Sequence, residues 1–255
     1  MFRLVTVLIL LAAAGPVSTV GHAPAIIVAA AVSLTDALTA AAREAPGFDA
    51  DQIHFNFAAS NVLARQIVNG APVDLFISAD EAQMDVVATA GMLADGTRID
   101  LLTNQLAVVV PDDRPRTFAG IRDLLDPAFK RIALGDPAAV PAGVYAKSYL
   151  ENAGLWGSLQ PRVVPTVSVR AALAAVDSGA ADAAIVYRTD AQVARRARIA
   201  WLVPVDRGPR IRYPAALIKR NAAPAEAKRF LDFLRSDGGS RVFQRFGFSP
   251  VPSGR

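Results

Sequence analysis

Short apolar runs alternate with longer segments of helical composition along most of the chain. The apolar runs predict strands at residues 25–31, 53–57, 74–78, 105–110, 131–134, 162–164, 183–187, 201–204 and 213–218. Helical composition predicts helices at about residues 37–43, 62–69, 81–90, 121–125, 145–154, 170–177, 224–235 and 240–246. Strands that alternate with helices are typical of a parallel α/β sheet.

The connection at residues 135–145 joins a predicted strand to a predicted helix. Pro141 lies where a first-turn proline belongs, because its missing N–H would have no helical partner. Ala142 and Gly143 then present bare backbone N–H groups, and a helix start can hold an anion without a cationic side chain. A plain strand-to-helix connection would show the same residues, so both interpretations stay open at this point.

The same pattern recurs at four predicted helix starts. A strand ends, a small or hydroxyl residue follows, and a helix begins at Ser33, Ser60, Ala142 and Val169, while Tyr187 ends another strand. In open α/β sheets, ligands lie beyond the carboxyl ends of strands, where helix starts converge. The alternative role for Ser33 is that of an N-cap, which accepts a hydrogen bond from its own helix.

Composition excludes several classes of site. The chain has 255 residues, 53% hydrophobic and 20% charged, which suffices for one large domain or two modest ones and argues against disorder. The absence of cysteine excludes disulfides, thiolate metal sites, a cysteine nucleophile and a lipid-modified cysteine. The net charge is only +4, and the densest basic group, residues 195–198, has no interleaved aromatics, so we expect a solvated face and no nucleic-acid partner.

The N-terminus predicts a targeting segment. Arg3 supplies a positive charge, and residues 4–14 are apolar. Residues 21–23 place small residues at the spacing that is usual before a cleavage site. We therefore expect a signal peptide at residues 1–23 and a secreted mature chain beginning near Pro24, without membrane insertion because no later segment is long enough. A buried N-terminal helix is the alternative.

Several long motifs occur in one order along the mature chain. They are the segments 29–35, 57–67, 70–80, 135–146, 168–173, 184–187 and 246–248. On these motifs the chain resembles the periplasmic molybdate-binding proteins of ABC-type molybdate importers, which are type II periplasmic solute-binding proteins. The resemblance implies a two-lobed α/β fold with two crossover strands at the hinge. The implied first lobe comprises residues 24–106 and 210–255, and the second comprises residues 107–209.

The resemblance also implies a ligand set. The serines of the first two motifs fall on Ser33 and Ser60, the contacting backbone N–H groups fall on Ala142 and Val169, and the tyrosine falls on Tyr187. These groups would hold a molybdate oxyanion by hydrogen bonds, with no direct ligation of the metal. Two departures from the family's pattern are the few hydroxyls at residues 59–61 and a serine, Ser168, where an acidic residue is common.

A site that contains only donors selects the protonation state of its ligand. Molybdate, tungstate and sulfate are fully deprotonated near neutral pH, whereas phosphate keeps a proton and would want a buried acceptor. The chemistry does not separate molybdate from tungstate, and it separates sulfate only through cavity size. A receptor for another oxyanion such as sulfate therefore remains an alternative.

Catalytic residues are not evident in the sequence. His54 is the one histidine expected in the mature chain, so a zinc centre is excluded, and no serine stands in a Gly-x-Ser-x-Gly elbow. An enzyme on the same two-lobed fold is the less favoured alternative. We expect a periplasmic, monomeric protein that is not an enzyme, has no cofactor, and binds molybdate or tungstate for a membrane permease.

Overall fold

The computed structural model describes residues 25–219 and 225–251, which include two β-sheets. The predicted signal peptide at residues 1–23 and the expected start of the mature chain at Pro24 lie outside the described residues. The strands are β1 Ile26–Ala31, β2 Ile53–Ala58, β3 Leu75–Ile77, β4 Ile99–Asn104, β5 Leu106–Pro111, β6 Ile132–Gly135, β7 Val163–Thr166, β8 Ala183–Tyr187, β9 Ala197–Leu202, β10 Ile211–Leu217 and β11 Ser249–Pro250. The α-helices are α1 Thr35–Glu44, α2 Ser60–Val68, α3 Glu81–Thr89, α4 Pro141–Asn152, α5 Trp156–Leu159, α6 Val169–Asp177, α7 Arg188–Ala191, α8 Ala225–Arg235 and α9 Asp237–Arg245. Short 3-10 turns lie at Val32–Leu34, Ala50–Gln52, Ile121–Leu125 and Gln160–Arg162.

Each sheet is the centre of one lobe. The first lobe has a six-stranded sheet in the order β11-β4-β10-β3-β1-β2, and the second has a five-stranded sheet in the order β7-β6-β8-β5-β9. The chain crosses between the lobes twice, once from β4 to β5 through residue 105 and once from β9 to β10 through residues 203–210. The predicted two-lobed α/β fold with two crossovers is confirmed.

The expected parallel pairing is confirmed for part of each sheet, but the strands that carry the chain between the lobes are antiparallel to their neighbours. β1 pairs in parallel with β2 and β3, and β6 pairs in parallel with β7 and β8. β10 is antiparallel to β3 and β4, and β5 is antiparallel to β8 and β9. The reason is topological, because a strand that leaves a lobe and the strand that returns to it run in opposite directions.

The structure also differs from the prediction at β4, β9 and α4. β4 was not predicted, because only Leu101 and Leu102 are buried in it and its polar residues do not alternate cleanly with apolar ones. β9 begins at Ala197, within the basic segment, although all three arginines of that segment are exposed as expected. Helix α4 begins at Pro141, four residues before the predicted start, because the first-turn proline belongs to the helix itself.

The cores of the two lobes bring strand ends to a common cleft. All residues of β8 are buried, and β1 has one half-buried residue, Ile27, as expected for strands covered by helices on both faces. Strands β1, β2, β6 and β8 each run directly or through a short turn into a helix at this edge. Within residues 25–219 and 225–251, no helix has both the length and the apolar character needed to cross a membrane.

Candidate functional site

One cavity between the lobes is lined by all five residues that the sequence singled out. Ser33 and Ser60 lie on the side of the first lobe, and Ala142, Val169 and Tyr187 lie on the side of the second. The space open to the centre of a water-sized sphere is only about 10 Å³. Pockets for drug-sized ligands measure roughly 300–1,000 Å³, so this cavity suits only a very small ligand.

The first lobe contributes two serine hydroxyls. Ser60 is the first residue of α2 and only 1% exposed, and its Oγ accepts a hydrogen bond of 2.9 Å from the backbone N–H of Ala79. Ser33 lies in the turn after β1, with its Oγ 3.1 Å from the Oη of Tyr213. Neither the turn nor α1 has a side-chain cap, so the alternative role of Ser33 as an N-cap is wrong.

The second lobe contributes backbone amides at two helix starts. Val140 precedes α4 without a side-chain cap, and Pro141 occupies the first helical position as predicted. Ser168 is the N-cap of α6, and its hydroxyl accepts from the N–H of Ala171 at 3.2 Å. The first-turn amides of a helix have no partner within the helix, so the N–H groups of Ala142 and Val169 are available to a ligand in the cavity.

Close packing of glycine sets the position of helix α4. A Cβ on Gly143 would lie 1.8 Å from the carbonyl oxygen of Gly135, the last residue of β6. A Cβ on Gly135 would lie 2.6 Å from a methyl carbon of Val140. The start of α4 therefore rests directly on the end of β6, and this contact places the Ala142 amide at the cavity.

Tyr187 brings an unpaired hydroxyl to the cavity. It ends β8, it is 1% exposed, and its Oη has no hydrogen-bond partner among the described residues. Burial, followed by nearby Tyr213 and other groups, raises the pKa of the Tyr187 phenol well above its usual value, so it stays protonated and can donate. A buried polar group without a partner costs about 1–3 kcal/mol, which indicates that a ligand completes this site.

The sequence did not reveal the residues that support Ser33. Asn104, at the end of β4, donates from Nδ2 to the Oη of Tyr213 at 3.2 Å and to the Oγ1 of Thr189 at 2.9 Å. Tyr213 lies in β10 and is fully buried. The one available signal was a tyrosine within a predicted strand, since a buried phenol needs a hydrogen-bond partner.

Two carboxylates bind the guanidinium of Arg170 beside the cavity. Its Nη2 lies 2.8 Å from Oδ2 of Asp36 in the first lobe, and its Nε lies 2.5 Å from Oδ1 of Asp190 in the second lobe. Asp136, in the turn after β6, has a different role and accepts a hydrogen bond from the N–H of Ala138.

Arg170 is therefore neutralised within the protein and does not line the cavity. Burial raises the pKa of Asp190 to about 6, and the charge of Arg170 opposes that rise. The ionic contact with Asp36 also joins the two lobes directly. Among the described residues, no group of three or more His, Asp or Glu side chains could hold a metal ion.

Comparison with known proteins identifies the family. The family model described as bacterial extracellular solute-binding protein matches residues 26–249. The molybdate-binding protein ModA of Escherichia coli is 37% identical over 88% of each chain, and that of Haemophilus influenzae is 33% identical over 86% of this chain and 88% of its own. The solved substrate-binding domain of a putative molybdenum ABC transporter from Clostridium difficile is 33% identical, with a TM-score of 0.69, over 90% of this chain and 100% of that chain. These matches confirm the resemblance to molybdate-binding proteins, and the chain belongs to the bacterial extracellular solute-binding protein family.

Proposed function

We propose that this protein is a periplasmic receptor that captures molybdate, and also tungstate, for an ABC importer. The observation that carries the proposal is the unpaired, buried Oη of Tyr187 in a cavity that two serine hydroxyls and two helix-start amides also line. Tetrahedral oxyanions present four acceptor oxygens and fit such a set of donors. The names of the relatives point to molybdate among these anions.

Hydrogen bonds alone can supply the affinity that such a receptor needs. Each bond to a charged acceptor contributes roughly 1.5–3 kcal/mol, and each helix start adds about 0.3–1 kcal/mol. The loss of translational and rotational freedom on association costs about 4–15 kcal/mol. Five such contacts outweigh a cost at the low end of this range and permit micromolar binding, which corresponds to a binding free energy near about −8 kcal/mol. The anion would contact both lobes at once, so it would favour the closed arrangement over an open one.

The cavity wall also supports a function without catalysis. Among the residues that the structure places around the cavity, Tyr187 is the one with a titratable side chain, and no described histidine or carboxylate lies at hydrogen-bond distance from the two serines. We therefore infer that the protein is not an enzyme and has no cofactor. We also propose that it is a monomer, that it is secreted through the N-terminal segment, and that it delivers its ligand to a membrane permease. Sulfate is the second candidate ligand, because the same donors suit any fully deprotonated tetrahedral anion.

Calorimetric titration of the mature chain tests the ligand directly. Molybdate, tungstate, sulfate and phosphate are each titrated alone and in competition. We expect molybdate and tungstate to bind at micromolar concentration or tighter, and phosphate to bind much more weakly. Stronger binding of sulfate would support the second candidate, and no binding of any oxyanion would refute the proposal.

Two tyrosine variants locate the binding site in the same experiment. Tyr187→Phe removes the unpaired hydroxyl and should weaken molybdate binding by about 10–100-fold. Tyr149→Phe makes the same chemical change in the same lobe, where the ring packs against Trp201 with 6.3 Å between centroids, and it should bind like the wild type. Equal affinities of the two variants would place the site elsewhere.

A further inference from the structure

We propose that Asn104 and Tyr213 fix the direction in which the Ser33 hydroxyl points, and that this makes the cavity selective for oxyanions that carry no proton. The inference rests on the proposed function and adds two specificity-determining residues that do not line the cavity. It depends on a series of hydrogen bonds whose directions can be assigned one by one, starting from the backbone.

The backbone fixes the orientation of the Asn104 amide. Oδ1 of Asn104 accepts a hydrogen bond of 2.9 Å from the N–H of Gln105, which can only donate. The opposite side of the amide is therefore the NH₂ group. Its two hydrogens go to the Oη of Tyr213, at 3.2 Å, and to the Oγ1 of Thr189, at 2.9 Å.

Tyr213 must then donate to Ser33. Its hydroxyl oxygen accepts from Asn104, so its own hydrogen needs an acceptor, and the Oγ of Ser33 lies 3.1 Å away. If Ser33 donated instead, the Tyr213 hydrogen would remain without a partner in a fully buried position, which is strongly disfavoured. Burial also raises the pKa of the Tyr213 phenol far above its usual value, so the hydrogen is retained.

Both serines of the first lobe are consequently arranged as donors toward the ligand. Oγ of Ser33 accepts from Tyr213, and Oγ of Ser60 accepts from the N–H of Ala79 at 2.9 Å. In each case the oxygen already has a donor, and the hydroxyl hydrogen is left for the cavity. An anion with its own O–H group would meet hydrogens where it needs an acceptor.

Asn104→Asp reverses this series of hydrogen bonds with little change in shape. The new carboxylate can still accept from the N–H of Gln105, but it would also accept from the Tyr213 hydroxyl. Tyr213 would then accept from Ser33, and Ser33 would present lone pairs to the ligand. The variant should therefore lose affinity for molybdate more than for hydrogen phosphate.

The test is calorimetry with molybdate and with hydrogen phosphate at mildly alkaline pH, where both anions carry two negative charges. We expect the ratio of molybdate affinity to hydrogen phosphate affinity to fall by about tenfold or more in Asn104→Asp. Repulsion by the added carboxylate acts on both dianions and cancels in the ratio. Gln105→Glu adds a charge to a neighbouring side chain, which donates to the carbonyl oxygen of Val203 and takes no part in the series, and should lower both affinities without changing their ratio.

Tyr213→Phe provides a second measurement without added charge. It leaves the Ser33 hydroxyl free to rotate, so the ratio of molybdate affinity to hydrogen phosphate affinity should fall by a smaller factor, about threefold to tenfold. Melting temperatures of all variants without ligand show whether each one is folded.

The possible outcomes are distinct. If the wild type binds molybdate and the ratio is unchanged in both Asn104→Asp and Tyr213→Phe, the inference is overturned and the proposed function stands. If the affinity ratio falls as much in Gln105→Glu as in Asn104→Asp, the added charge explains the effect and the inference is also overturned. If the wild type binds no oxyanion, the proposed function fails, and this inference fails with it.

Discussion

The two lobes supply donors to the same cavity by different physical means. The first lobe uses the side-chain hydroxyls of Ser33 and Ser60, which can rotate and therefore depend on neighbouring groups for their direction. The second lobe uses the helix-start amides of Ala142 and Val169, whose direction is set by the backbone, together with Tyr187. The first lobe should thus be sensitive to the loss of polar partners, and the second to changes in helix packing.

The largest effect is expected where close packing fixes the position of a backbone N–H donor. In Gly143→Ala the new methyl group would lie 1.8 Å from the carbonyl oxygen of Gly135, so α4 must move away from β6. We expect a loss of stability of roughly 1–3 kcal/mol or more from overpacking, and at least about a 100-fold loss of molybdate affinity as the Ala142 amide is displaced. Denaturant titration and calorimetry measure the two losses.

Gly157→Ala is the matched control for that change. It also lies in a helix of the second lobe, α5, but its added Cβ would have no described atom within 4 Å beyond its chain neighbours and its own helix backbone. It should retain the affinity and gain up to about 1 kcal/mol of stability from helix propensity. If Gly143→Ala behaved like Gly157→Ala, packing would not determine the donors of the second lobe.

The next largest effect compares the loss of the unpaired hydroxyl of Tyr187 with the loss of the paired hydroxyl of Ser60. Tyr187→Phe removes a hydroxyl with no partner among the described residues, so the free protein should keep its stability or gain up to about 1 kcal/mol while affinity falls about 10–100-fold. Ser60→Ala should lose similar affinity but also about 1–2 kcal/mol of stability, because the buried N–H of Ala79 loses its acceptor. Thermal unfolding with and without molybdate distinguishes these outcomes, and parallel losses of stability would contradict the assignment of Tyr187.

The sequence predicts the donors of the second lobe better than the hydrogen bonds of the first. A proline at the first helical position and a serine N-cap are local signals, and both lie at the observed helix starts, although the helices were predicted to begin at residues 145 and 170. The direction of the Ser33 hydroxyl depends on Tyr213, 180 residues away along the chain, and on Asn104 in a strand that was not predicted. Neither contact leaves a periodic or spaced pattern in the sequence.

The arrangement of the strands shows the same limit. Alternating strands and helices correctly indicated the parallel parts of both sheets around β1 and β6. The antiparallel pairing of β4 with β10 arises because the chain leaves the first lobe and later returns to it. This pairing depends on the path of the whole chain, so local propensity could not reveal it.

A smaller effect is expected at the ionic contact between the lobes. Asp36→Asn removes the partner that the first lobe offers to Arg170, while Asp190 continues to neutralise that guanidinium. The side chains of Arg170 and Asp36 are 23% and 41% exposed, so the pair contributes about 0–1 kcal/mol and the affinity should fall only a few-fold. The difference from the wild type should disappear at high ionic strength, because salt screens exposed charges.

The i,i+4 pair between Lys228 and Asp232 on α8 provides the control for that measurement. It is a comparable exposed ion pair, with 2.6 Å between Nζ and Oδ2, but it lies within one lobe and away from the cavity. Asp232→Asn should not change the affinity at any ionic strength. A salt-independent loss in Asp36→Asn would mean that Asp36 acts on the site other than by its charge.

The smallest effect on affinity is expected at Asp190, whose influence should appear in the pH dependence of stability. Burial raises the pKa of this carboxyl to about 6 against the pairing with Arg170, whereas in the unfolded chain it should lie near about 3.9. Between these values the folded protein binds more protons than the unfolded chain, so the contribution of Asp190 to the free energy of unfolding falls as pH rises. The contribution is obtained as the difference between wild type and Asp190→Asn in denaturant titrations from about pH 4 to pH 7. A difference that instead increased with pH would show that the attraction of Arg170 outweighs the burial of Asp190.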